Sequence, residues 1–585
     1  MNMLLLVGSI FAFSQPYSGE KLSRGLIGIP TEDGMYFSWR MTLEDAAGLQ
    51  FDLYRSSGGG AEVKLNKEPI DRTSDFLDRT VDYTVDNRWT LKATTGEVAI
   101  WTRLKGEERN PYLSVPVCKP EDGEIAGESF TYTANDCSVG DLDGDGEYEI
   151  ILKWSPSNSK RPPQRGFTGN TYLDAYKMDG TRLWRIDLGP NVRSGAASTV
   201  DGLGHRIGDV QADWRTWDKK SPTYGKIVNG PEYLTVFEGR TGKELDSKEY
   251  IPTRYPLDGW GGVGGNCGND NTGGRSDRFT AGVAFLDGKT PSPVMVRGWY
   301  GRTVVAAWTF TNGALKHTWT FDSAAPGWEA YSGMGNHSVT VADFDGDGCD
   351  EICVGAMTVD HDGKGLFTTG LRHGDALHAG RFIPSRQGMQ VFGVHENEGD
   401  NEIVKRTPAV AMFDGATGEI IWQDGLGQDA GRGVAADIDP RYDGAECWCN
   451  IGGLRRGDTG EIISNRKPDS CNFTIYWDAD PLAELLDHVS ISKWNWNAES
   501  TDLLLKAEGV VSNNGTKGNP CLSGDILGDW REEVIWPSED QTELRIYSTT
   551  IPAVDRRATW MNDRQYRLAI AWQNVAYNQP PHSSF

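Results

Sequence analysis

One spelling occurs twice in this chain: "DLDGDGEYEI" from Asp141 to Ile150 and "DFDGDGCDEI" from Asp343 to Ile352. Carboxylates packed this closely repel one another unless a positive charge or water lies between them. Calcium meets that need, because a hard cation takes about six to eight oxygen ligands. The first copy offers Asp141, Asp143 and Asp145 at alternate positions and Glu149 four residues on. The second offers Asp343, Asp345, Asp347 and Glu351 at the same spacing. Gly144 and Gly146 let the backbone turn tightly around an ion. An EF-hand is excluded, since it needs a glutamate at the end of a longer loop and a helix on each side. Here each loop runs into a strand-like segment, "YEIILKW" or "DEICVGAM". A solvated Asp-Gly turn is the plain alternative, and recurrence of the whole pattern argues against it. Degenerate copies carry Asp437, Asp439 and Glu446, and then Asp525, Asp529 and Glu533. Several bound Ca2+ ions are the expectation.

Between these loops lie pairs of apolar-alternating segments joined by Asp-Gly or Asn-Gly turns, such as "LDAYKMDGTRLWRIDLG" and "VAMFDGATGEIIWQD". That is a hairpin signature. With 71 glycines and 21 tryptophans, the composition suits many short strands and tight turns. Repeats of four strands in about 40–50 residues point to an all-β chain and a β-propeller over residues 120–585, with a linear β-solenoid as the alternative. Residues 20–115 lack the acidic loops and alternate apolar and polar residues, which predicts a β-sandwich-like N-terminal domain.

The net charge of −25 argues against general nucleic-acid binding, which needs a basic face. Leu4 to Phe13 is an apolar run too short to span a membrane. It precedes a small-residue cleavage pattern, so residues 1–14 read as a secretory signal, with a buried strand as the alternative. No other segment could span a bilayer. A secreted monomer is expected. The nine cysteines form neither a disulfide framework nor a zinc pattern.

The strings "PSNSK", "TGNTYLDAYKMDGTRLWRIDLG", "GNHSVTVADFDGDG", "HGDALHAG", "GRGVAADIDPRY", "NNGTKGNPCLSGDILGDWREEVIW" and "YRLAIAWQNVAYNQPPH" together resemble the rhamnogalacturonan lyases of polysaccharide lyase family 11, over nearly the whole chain. The resemblance implies an eight-bladed, calcium-rich propeller that cleaves the rhamnose–galacturonate backbone of rhamnogalacturonan I by β-elimination. That reaction removes the C5 proton of galacturonate and expels the O4-linked sugar. It needs a cation or charged donor at the uronate carboxylate, a base at C5 and a donor for the leaving oxygen. Arg432 and Lys517 match family positions associated with galacturonate binding. Arg432 can grip a carboxylate as a fork, and Lys517 is a point charge or a base. Tyr577 is the third catalytic candidate. Asn158, Asp174, Asn514, Gly515, Thr516 and Asn574 match polar positions around the cleft. Each has a bland reading: Arg432 in a structural ion pair, Lys517 on a solvated turn, Tyr577 in the core, Asn158 and Asp174 shaping a loop. His337, Asp375, His378 and Glu396 suggest a histidine–carboxylate metal site, with hydrogen-bonded structural histidines equally expected because calcium prefers oxygen.

Two stretches depart from the family pattern. Near Ala197 to Val200 a segment of about half a propeller repeat is expected and absent. In "AGRFIPSRQGMQVF", Arg381, Ile383 and Gln390 stand where acidic ligands are expected, so that loop is assigned no calcium. Three functions compete: an endo-acting lyase, favoured by the short connection before Arg432; an exo-acting lyase; and a non-catalytic, calcium-dependent glycan-binding propeller.

Overall fold

The computed structural model describes residues 19–195, 213–261, 268–397, 402–515, 517–575 and 577–584. The expected signal segment and the expected shortfall at 197–200 lie outside the described residues. The chain is all-β, with one α-helix, Arg564–Trp572, among the described residues. No helix there is long and apolar enough to cross a membrane.

Two small sheets open the chain. One pairs Ile27–Pro30, Met35–Ser38 and Asp75–Asp78; the other pairs Phe51–Ser57 with Val63–Lys64 and with Asn87–Ala93, which also pairs with Val98–Arg103. They share one core of Phe37, Trp39, Phe51, Leu53, Trp89 and Leu91. Trp89 is fully buried and donates its indole N–H to Asp78 at 3.0 Å. A buried aromatic of this size contributes roughly 2–3 kcal/mol by area alone, and Trp89→Ala would also leave a cavity. The unit is anchored to the rest through Arg40, which donates to Ile526 O at 3.2 Å, and through Tyr36, whose hydroxyl accepts from Arg531 at 2.9 Å.

Eight further sheets follow in chain order, apart from a short hairpin at Gly123–Phe130. Seven have four antiparallel strands each, six of them wholly in sequence order, the meander that Asp-Gly turns favour. Their first strands are Tyr132–Gly140, Phe279–Phe285, Thr340–Ala342, Gly374–Gly380, Gly433–Ala436, Phe473–Ile475 and Leu522–Gly524. The remaining sheet, second in order, has two described strands, Tyr233–Phe237 and Glu244–Glu249. The last sheet takes its fourth strand from Leu113–Pro116, which pairs with Glu543–Ile546. Among the described residues no sheet closes on itself. The first strands from Phe279–Phe285 to Phe473–Ile475 neighbour one another in turn, and Tyr132–Gly140 packs beside Leu522–Gly524. The helix lies against the first strands of four sheets. Asp563 caps it, accepting from Tyr566 N at 2.8 Å.

Each acidic loop sits between the first and second strands of its sheet, and its last acid folds back onto the loop's own backbone. Glu149 accepts from Leu142 N at 2.7 Å, Glu351 from Phe344 N at 2.7 Å, Glu446 from Asp439 N at 2.9 Å and Glu533 from Leu527 N at 2.8 Å. Gln390 does the same in the loop assigned no calcium, accepting from Ile383 N at 2.9 Å. The amide keeps the turn and drops the charge. A further loop that the sequence reading passed over carries Asp478, Asp480 and Glu484, with Glu484 accepting from Trp477 N at 2.8 Å.

Candidate active site

Loops from the third to the eighth sheets, together with the segment after the helix, bring a cluster of ring and charged side chains together. His337, His373, Asp375 and Glu396 place one ligand atom each within 4.8 Å of one another. His373 precedes the strand Gly374–Gly380 and its Nδ1–H donates to Gly335 O at 2.6 Å, while its Nε2 lies 3.0 Å from Glu396. His337 Nε2 lies 3.0 Å from the Tyr300 hydroxyl and 3.5 Å from Asp375. Burial holds the His337 imidazole well below its usual range, so it is neutral. Burial, and then Glu396, push the Asp375 carboxyl up to about 7. Two imidazoles and two carboxylates suit a divalent metal with mixed nitrogen and oxygen preference, as well as a carboxylate-seeking one.

Tyr577 is the hinge between this cluster and the cations. Its ring stacks on His337 with centroids 4.2 Å apart and planes at 14°. The Arg432 guanidinium lies 4.7 Å from the same ring, and the Lys517 ammonium rests against it. Arg432 Nη2 and Lys517 Nζ are both buried without a hydrogen-bond partner. In a chain of net charge −25, two buried cations with no hydrogen-bonded carboxylate require explanation. Burial lowers the Arg432 pKa, and Asp375 opposes that. Burial likewise raises Tyr577 far above the usual phenol range, so it stays protonated. Arg275 and Arg278 lie 4.2 and 5.5 Å from the Tyr300 ring, adding positive charge on the same side.

The structure thus groups Arg432, Lys517, Tyr577, His337 and Glu396. Asn514 and Gly515 belong to the same turn as Lys517, whose N–H donates to Asn514 O at 2.7 Å; Thr516 lies outside the described residues. Asn158 is buried, and its Oδ1 accepts from Gly169 N at 2.9 Å.

Other expected residues are engaged elsewhere. Asp174 is fully buried, accepting from Trp154 Nε1 at 2.8 Å, Tyr176 OH at 2.6 Å and Arg185 at 2.7 and 2.6 Å. Its carboxylate anchors the first sheet and presents no face to a sugar. Asn574 spends its amide N–H groups on Cys137 O and Cys521 O, at 2.7 and 2.9 Å. His378 does not join the cluster: its ring nitrogens meet His582 Nε2 and Gly433 O, each at 2.9 Å. A register shift between Gly374 and Ala376 sets Asp375 apart from the regular alternation that buries His378 within the strand. The residue types of "HGDALH" were the signal for the cluster. Tyr300, Arg275 and Arg278 carried no comparable signal, because their contacts are formed only by neighbouring sheets.

Among the acidic loops, Asp141, Asp143 and Glu149 form one group able to hold a cation, and Asp343, Asp345 and Asp347 another. Asp439 pairs with Arg441 at 2.6 Å, and Asp529 with the fully buried Arg531 at 2.5 Å. Asp525 accepts from Thr559 Oγ1 at 2.6 Å and from Trp560 N at 2.8 Å. Asp437 lies among carboxylates, and burial followed by Asp439 raises it to about 7.

Comparison with known proteins places this arrangement. The model of the rhamnogalacturonan lyase family 11 C-terminal domain matches residues 112–199 and 196–585, its break falling where the sequence reading finds a segment short. The model of the rhamnogalacturonan I lyase β-sheet domain matches residues 17–101. The chain is 45% identical to the rhamnogalacturonan endolyase YesW of Bacillus subtilis, over 97% of this chain and 90% of that one. It is 47% identical to the rhamnogalacturonan exolyase YesX of the same organism, over 97% and 95%. The solved Bacillus licheniformis rhamnogalacturonan lyase superposes with a TM-score of 0.87 at 47% identity, over 98% of this chain and 97% of that one. The chain belongs to the family 11 rhamnogalacturonan lyases.

Proposed function

We propose that this lyase cleaves the rhamnose–galacturonate backbone of rhamnogalacturonan I by β-elimination, in the cleft around Tyr577. The observation that carries the reading is the pair of buried cationic atoms, Arg432 Nη2 and Lys517 Nζ, on side chains set against one tyrosine ring and without a hydrogen-bond partner. A uronate carboxylate would complete both. Arg432 grips it as a fork, which neutralises its charge and acidifies the proton at C5. Lys517 takes that proton, which an amine does only from its neutral form. Tyr577, a protonated phenol, donates to the leaving O4 oxygen.

The eight sheets are assigned as the blades of a propeller. Support comes from the side-by-side first strands, the helix packed against four of them, and the N-terminal strand that completes the last sheet. The two sheets before residue 104 are assigned as a sandwich-like domain on their shared core. Calcium is assigned to the all-oxygen groups at Asp141–Glu149 and Asp343–Glu351, whose donor chemistry suits a hard cation. At the His337, His373, Asp375 and Glu396 cluster a bound divalent cation would supply further positive charge near the uronate. Secretion is supported by the apolar run Leu4–Phe13. Action as a monomer is part of the same reading. Endo action is favoured by the short connection from Gly425 to Arg432, which leaves little chain to wall off one end of the cleft.

The test is the ultraviolet absorbance of the unsaturated uronate, with sizing of the products. Arg432→Ala and Lys517→Ala are expected to lower the rate by at least about a hundredfold, the usual scale for positioned acid–base and charge-stabilising groups, with melting temperature nearly unchanged. Lys517→Arg stays inactive if Lys517 is the base and recovers in part if it only neutralises charge. Near-normal turnover in both alanine variants removes the pair from the mechanism. Early products of many sizes support endo action, and disaccharides from the first time point overturn it.

A further inference from the structure

Two thiols meet where the first and last four-stranded sheets adjoin. Cys137 lies on the strand Tyr132–Gly140, and Cys521 immediately precedes Leu522–Gly524. The Cys137 N–H donates to Cys521 O at 2.8 Å. That bond brings the two backbones close together, and a disulfide needs Cα atoms about 4.4–6.8 Å apart. Both side chains belong to the same buried core cluster. Both residues are buried, at 3% and 0% exposure. The surroundings are fixed from several sides. The Asn574 amide donates to both cysteine carbonyls, at 2.7 and 2.9 Å, and the Asn513 amide lies 3.6 Å from the Cys521 sulfur. The Asn513 to Lys517 turn is the one that carries a cation of the cleft.

We propose that Cys137 and Cys521 are a disulfide-forming pair that fastens the first sheet to the last beneath the cleft. The co-reactant is a low-molecular-weight disulfide. One protein thiolate attacks it, releasing one small thiol and leaving a mixed disulfide. The second protein thiolate attacks that protein sulfur and releases the second small thiol. The two protein thiols lose two electrons and two protons in all, and the two small thiols gain them. Because both sulfurs are buried, the bond forms as the chain folds and not by attack on the finished protein. Its loop spans most of the chain, the case in which a cross-link restricts the unfolded state most. Neither sulfur touches Arg432, Lys517 or Tyr577, so the lyase rate should change little while resistance to heat rises.

The experiment refolds the full chain from denaturant with calcium present, in a mixture of glutathione and its disulfide or in reductant alone. Remaining thiols are then alkylated under denaturing conditions, and cross-linked peptides are mapped by mass. The expected result is two fewer alkylated cysteines, a peptide joining Cys137 to Cys521, and a melting temperature several degrees above that of the reduced protein. Cys137→Ser and, independently, Cys521→Ala should abolish both the cross-link and the reductant-sensitive shift. Full alkylation of both residues after oxidative refolding, or a cross-link to some other cysteine in their place, overturns the proposal. So does a melting temperature of the cross-linked protein that reductant does not move.

Discussion

The loops Asp141–Glu149 and Asp343–Glu351 are spelled almost alike and are electrostatically opposite. In the first, Lys177 lies 2.7 Å from Asp143, 2.6 Å from Asp145 and 3.7 Å from Glu149. Its hydrogen bond is the largest influence holding the Asp145 carboxyl below its usual range. In the second, the ion-pair partner is His361, 3.4 Å from Asp347 and 4.0 Å from Glu351, and it is shared with Asp360 at 2.8 Å. Burial, and then Asp345, push Glu351 up to about 9. Lys177 and Asp360 occupy the same place in their sheets. Each opens the turn after the third strand, accepting from the glycine three residues on at 2.9 Å. One position therefore carries opposite charge in two sheets. The loop motif supplies oxygens, and the turn facing it decides how much positive charge the loop still lacks.

Metal removal should give the largest effect. Excess chelator is expected to lower the melting temperature by several degrees, since a site held at a hundred times its dissociation constant adds about 2.7 kcal/mol. Calorimetry with metal content measured alongside checks this. Unchanged melting at near-zero metal content would remove calcium from the account of stability. Next comes pH. A carboxyl whose folded pKa lies above its unfolded value holds more protons when folded, so stability falls as pH rises between the two. For Glu351 that window runs from 4.5 to about 9. The chelated protein should therefore melt lower at pH 8 than at pH 5.5, and calcium should shrink the difference. A chelated protein that gains stability across that window contradicts the reading.

Exchanging the two turn residues sharpens the comparison further. Asp360→Lys should reduce the chelator-induced loss, and Lys177→Asp should enlarge it. Each shift should be about 1 kcal/mol or less, because these pairs are partly exposed and solvent screens them. Equal chelator responses in both variants and the parent would mean that the turn charge is irrelevant. His361→Gln is expected to do least, with a change in melting of about one degree or less, since the side chain is partly exposed and solvent screens its ion pairs.

The acidic loops were legible in the sequence because their ligands lie within one short turn. Lys177 as their partner was not, since it comes from another strand of the sheet and only pairing brings it near. The loop with Asp478, Asp480 and Glu484 escaped notice because Tyr476 stands at its first position and Ala479 and Pro481 replace the two glycines of its middle. Its carboxylates are also held by Lys493, 2.6 Å from Asp480 and 2.9 Å from Glu484. Arg432, Lys517 and Tyr577 could be named from local strings, but their meeting on one ring is a product of tertiary structure. Asp174 shows the reverse error. Its polar side chain suggested a sugar contact, and four hydrogen-bond donors already surround it inside the first sheet.

The strand Leu113–Pro116 has a consequence in time. Its partner strand, Glu543–Tyr547, lies at the far end of the chain. On a ribosome adding about 5–20 residues per second, those two strands emerge roughly twenty seconds to a minute and a half apart. Through that interval Leu113–Pro116 waits as an open edge, able to pair with a neighbouring nascent chain. Slow or stalled synthesis near the C-terminus should therefore harm yield more than the same delay near the middle.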